Sequence, residues 1–81
     1  MKLKRIYPNE KGELIFPPES YGKDKDGMWF VRPPGAHTGG IPNHTVVEHE
    51  DETITVSPSI LLTDGNITVH GFLEHGIWRD C

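Results

Sequence analysis

Six side chains in this chain combine ligand chemistry with proton chemistry: His37, His44, His49, His70, His75 and Cys81. Imidazole nitrogens and a thiolate are the donors zinc takes, in threes or fours that converge from local pairs. No Cys-x-x-Cys or His-x-x-x-His pair is present, so any site has to be assembled by the fold. His70 lies on a segment that reads as a strand, and Cys81 ends the next one, so consecutive hairpin arms can bring them together. His37 or His44, from a glycine-rich loop, would complete the set. The candidate metal ligands are therefore His37, His70 and Cys81, with zinc as the cofactor they suit. The competing reading puts every histidine on a surface or turn, leaves Cys81 at a frayed end, and needs no cofactor.

Nucleophilic chemistry has weaker support. Ser57, Ser59 and Cys81 are candidate nucleophiles with His70 as base. No glycine-flanked nucleophile motif surrounds them. Ser57-Pro58-Ser59 reads instead as a turn entering a strand, its hydroxyls bonding local backbone. The carboxylates are scattered through loops without a suggestive pair. The residues favour a non-enzymatic protein over a hydrolase.

Composition narrows the classes further. Eighty-one residues make one small domain, residues 1–81, with a limited core. Twelve acidic residues against eight basic ones give a net charge of −4, which offers phosphate backbones no electrostatic footprint, so nucleic acid is not an expected partner. A single cysteine excludes an internal disulfide and suits the cytoplasm. No apolar run approaches the roughly 20 residues that span a bilayer, and the basic start has no long apolar stretch behind it, so no membrane association or signal peptide is expected.

Nine glycines and seven prolines favour turns and short strands over long helices. Residues 2–6 alternate polar and apolar, as a first strand does. Residues 13–16 read as a short strand halted by Pro17-Pro18, with at most one helical turn after it. Residues 23–27 form a polar loop; their Asp-x-Asp-Gly hints at calcium but lacks the downstream glutamate at loop spacing. Residues 28–31 read as a buried strand. Residues 45–48 and 53–56 flank an acidic tip, residues 59–62 are apolar, and Asp64-Gly65-Asn66 turns the chain into a strand over 67–73. His75-Gly76 turns it again into 77–79. The expected fold is all-β: a small single-domain antiparallel roll, open barrel or sandwich of six or seven short strands. Trp29, Phe30, Phe72 and Trp78 are its expected core aromatics.

Between strands, Pro33 to Gly40 reads as irregular loop, long for so small a domain and therefore a candidate interface. Its expected binding residues are Pro34, Gly35, His37, Gly39, Gly40 and Ile41. An exposed apolar patch near Phe16, Ile41 or Leu62 would fit that role.

Trp29-Phe30 before the Pro/Gly loop, Ser57-Pro58-Ser59-Ile60-Leu61, His70-x-Phe72-x-x-x-Gly76-x-Trp78 and the final Asp80-Cys81 together resemble a small domain of unknown function found in bacteriophages and some bacterial operons. Some of its members are mislabelled as ammonia monooxygenase. The resemblance covers residues 28–81. Typical members carry a cysteine pair that falls here on Arg32 and Gly35, and a further cysteine that falls on Val69. Only His70 and Cys81 of that pattern survive. The resemblance implies a phage setting and a metal site that this chain has lost. The expected function is a small non-enzymatic module that binds a host or viral protein, with interference in host defence as one outcome. The alternatives are a zinc-binding protein or metal-dependent hydrolase using His70 and Cys81, and a self-associating virion component. The sequence leaves the oligomeric state open.

Overall fold

The computed structural model describes residues 1–81 and contains eight strands and no helix. No helix is thus long and apolar enough to cross a membrane. One sheet holds β1 (Lys4–Arg5), β2 (Ser20–Lys23), β3 (Trp29–Arg32) and β4 (Gly39–Gly40), side by side in that order. The other holds β5 (Thr45–Glu48), β6 (Ile54–Asp64), β7 (Ile67–Glu74) and β8 (Ile77–Asp80), again in chain order. All pairings are antiparallel except β1 with β2. The all-β expectation holds, with eight strands rather than six or seven.

Turn chemistry explains the second sheet. Gly65, at φ 60°, and Asn66 close the β6–β7 hairpin, with Asp64 opposite Ile67. His75 and Gly76 have φ of 49° and 75°, the left-handed pair that a two-residue hairpin turn demands. The acidic tip is a turn with Glu52 in the left-handed region at φ 71°. Asp51 steadies it by accepting hydrogen bonds from the Thr53 hydroxyl and N–H. Asp24 does the same in the polar loop, accepting from the N–H groups of Asp26 and Met28.

The inward faces meet in a core of Leu3, Tyr21, Val31, Ile41, Ile54, Val56, Ile60, Leu73 and Trp78. Of the four expected core aromatics only Trp78 is buried; Trp29 packs at the margin. Phe30 and Phe72 are half-buried, the first tilted against Phe16 and the second beneath the Arg79 guanidinium. Tyr21, 1% exposed, is an aromatic of the core instead.

Several elements differ from the sequence expectation. Residues 13–16 pair with nothing, because Asn9 ties back the Lys11 and Glu13 N–H groups and the two following prolines have none to offer. The strand forms instead at β2, where Ser20 donates to the Pro17 carbonyl and packs fully buried. Ser57-Pro58-Ser59 is not an entry turn: β6 runs through it, with a register shift against β7 between Val56 and Ile60. A bulge is where a sheet tolerates a residue lacking a donor.

The N-terminal segment joins the two sheets. The Leu3 N–H donates to the Gly76 carbonyl at 2.9 Å, and the Trp78 N–H to the Met1 carbonyl at 2.6 Å. The chain then crosses over, and the N–H groups of Lys4 and Ile6 bond the carbonyls of Glu19 and Tyr21 in the first sheet. On the opposite side β4 and β5 are consecutive but unpaired. The molecule is a roll, stitched along one side and open along the other.

Candidate functional site

His70 and Cys81 do meet across the last hairpin. The Cys81 N–H donates to the His70 carbonyl at 2.9 Å, one step beyond the Gly71–Asp80 pair, so both side chains leave on the outer face. His37 does not join them. Its Nε2 lies 3.4 Å from Asp64 Oδ2, because β4 holds the loop over the β6–β7 tip. His44 is also engaged elsewhere, with Nε2 3.0 Å from the Ser59 carbonyl. His37 thus stands apart from His70 and Cys81, and no three His, Cys, Asp or Glu side chains converge.

Of the expected nucleophiles, Ser59 hydrogen-bonds a histidine, its Oγ 2.8 Å from His70 Nε2. It sits on the exposed outer face of the second sheet and lines none of the grooves. A hydroxyl placed there competes with bulk water for its base and has no walls to orient a substrate.

The expected binding loop divides between two places. Gly39 and Gly40 are not loop but β4, opposite Val31 and Phe30, which shortens the loop to residues 33–38. Pro34 and Gly35 form its outer turn, with Gly35 at φ 72° and the Ala36 N–H donating to the Pro33 carbonyl. Arg32 braces the turn from inside, donating to the carbonyls of Phe16 and Ala36. His37, Thr38 and Gly39 then form one wall of a cleft of about 300 Å³. Leu62, Asp64 and Ile67 from the β6–β7 hairpin form the other. Gly39 packs closely against this wall: a Cβ would stand 2.5 Å from Leu62 Cδ2, so the half-exposed leucine side chain would have to move. Ile41 departs from expectation, being 3% exposed and part of the core. It therefore offers no exposed apolar patch, and Leu62 is only half-exposed. The exposed apolar member of this region is Ile67.

Sequence reasoning missed the cleft's second wall. Asp64-Gly65-Asn66 was legible only as a turn, and nothing local says that the turn faces residues 36–39. It also missed a cation–aromatic cluster between the sheets. Arg5 lies over the rings of Tyr7 and Trp29, and Lys23 over Trp29. Both cations pair with Glu48, at 3.2 Å and 2.8 Å. The Lys23 hydrogen bond, followed by that of Arg5, holds the Glu48 carboxyl below the usual carboxylate range. Tyr7 donates to Glu52, and that bond, ahead of burial, pushes the Tyr7 phenol up. Burial does the same for Tyr21. Arg5 and Tyr7, two residues apart, are the only trace of this cluster in the sequence.

A groove of about 390 Å³ runs along the open side of the roll, lined by Met28, Trp29, Ile41, Pro42 and Val46 among others. Here the core residue Ile41 and the core-margin residues Trp29 and Val46 reach the surface between the two sheets. No known protein family, curated protein or solved structure matches this chain.

Proposed function

We propose that the chain is a non-enzymatic protein-binding module that engages a host or viral protein. The observation that carries this reading is the hairpin-tip cleft. It sets a histidine–carboxylate pair beside the apolar Leu62 and Ile67, between the β3–β4 and β6–β7 hairpins. Mixed polar and apolar walls suit recognition of a protein surface. The resemblance over residues 28–81 supports a phage setting. Affinity capture from host lysate, run in parallel with wild type and with the His37→Ala and Ile67→Asp variants, tests the reading. A partner retained by wild type and lost by both variants supports it. An unchanged partner list removes the cleft as the interface.

A further inference from the structure

β5 is an edge strand, paired with β6 on one side and with nothing on the other. The ladder says which groups its free side presents. The His49 N–H donates to the Thr53 carbonyl at 2.8 Å, and the His49 carbonyl accepts from the Glu52 N–H at 3.0 Å. In an antiparallel ladder the bonded pairs then recur at alternate positions, Val47 with Thr55 and Thr45 with Ser57. Val46 and Glu48 therefore turn their N–H and C=O groups away from β6. Sheet edges are usually blunted by a proline, a bulge or a free lysine. β5 is Thr45-Val46-Val47-Glu48, has none of these, and has its one charge already neutralised by Lys23 and Arg5.

This edge borders the open side of the roll. Val46 lines the seam groove, with Met28 and Trp29 from the β2–β3 turn region among the other walls. The groove thus sets the outward backbone groups of Val46 beside an apolar wall, with those of Glu48 next along the same edge, the two elements of recognition by strand addition.

We infer that the seam takes an extended segment of a partner protein, with alternating apolar and basic residues, as an added strand on β5. The apolar requirement follows from Met28, Trp29 and Val46, which would receive alternate side chains of the added strand. The basic requirement follows from Asp26. It lines the groove, is exposed and forms no ion pair; no lysine or arginine lines the groove with it, and the one imidazole there, His44, has its Nε2 engaged at the Ser59 carbonyl. A second copy of the chain is the poorer occupant, because it brings its own net charge of −4 and a second Glu48 to the same edge. The inference rests on the protein-binding reading and adds a mode of binding at a surface separate from the hairpin-tip cleft.

The test is NMR titration of ¹⁵N-labelled full chain with a capped, alternating Lys/Val hexapeptide. Its Glu/Val counterpart and an N-methylated Lys/Val version serve as controls. The Lys/Val peptide is expected to shift the Val46 and Glu48 amides and slow their exchange. Both control peptides are expected to bind roughly tenfold more weakly or worse, since one loses the charge match and the other the backbone donors. Asp26→Lys should invert the preference to the Glu/Val peptide. Val46→Pro should abolish binding, because it deletes an outward N–H and no bond to β6. No response at Val46 and Glu48, or a response confined to residues 36–39 and 62–67, overturns the inference. So does protection of those two amides that grows with protein concentration alone, which would assign the edge to a second copy. If a captured partner depends on His37 while the seam amides stay silent, strand addition falls and the binding-module reading stands. If the capture is insensitive to both surfaces, both fall.

Discussion

Gly71 has no room for a side chain. A Cβ there would stand 2.6 Å from the Arg79 carbonyl oxygen and 2.7 Å from Cε2 of Trp78, whose ring is only 3% exposed and has nowhere to go. Gly71→Ala is expected to lower stability by roughly 2–3 kcal/mol, read as a lower urea midpoint at unchanged slope. One residue away, His70 lies on the exposed face, and His70→Ala should cost no more than about 1 kcal/mol. That contrast separates the strand's inner and outer rows, which the alternation of residues 67–73 already displays in the sequence. Glu48 sets the acid response of the inter-sheet cluster. Its carboxyl titrates below its ordinary value of 4.5 in the folded protein, so its contribution is present above about that pH and is lost as pH falls through the folded value. The melting temperatures of wild type and Glu48→Gln should therefore differ at neutral pH and converge in acid. The difference will be small, since the Glu48 side chain is 42% exposed and water screens its pairs.

The hairpins were the most legible elements, and the reason is local. Gly65-Asn66 and His75-Gly76 carry their turn geometry in their own residues, so the strands on either side could be placed without knowing the rest. β2 and β4 were illegible for the converse reason. Ser20–Lys23 contains one apolar residue, and Gly39–Gly40 contains none, so neither shows a period. Each forms because β3 offers it a partner. Pro58 argued against a continuous β6 by the usual rule, and only the register shift beside it makes the strand possible. The first strand was visible in its alternation, but its role as the stitch between sheets was not. Leu3 is 2% exposed at that junction. Leu3→Ala should cost about 2–4 kcal/mol in chemical unfolding. A loss below about 1 kcal/mol would mean that the N-terminal segment is not holding the roll shut.

Both surfaces assigned to binding arise from how the two sheets face each other. The cleft needs residues 36–39 to lie over residues 62–67, and the seam needs residues 28–29 to lie near Val46. No local pattern encodes either approach, which is why the sequence pointed to the loop but not to what it faces. His37 shows the cost of that gap: its spacing allowed a zinc site with His70 and Cys81, and the orientation of the sheets gives it Asp64 instead. The roll is open along β5, with the backbone groups of that edge free to receive a strand. Residue-resolved amide hydrogen exchange of the free protein at low concentration is the decisive measurement. Val47 and Thr45, which bond β6, should exchange slowly, and Val46 and Glu48 fast. Slow exchange at all four would mean that the edge is already covered, and the open seam would be wrong.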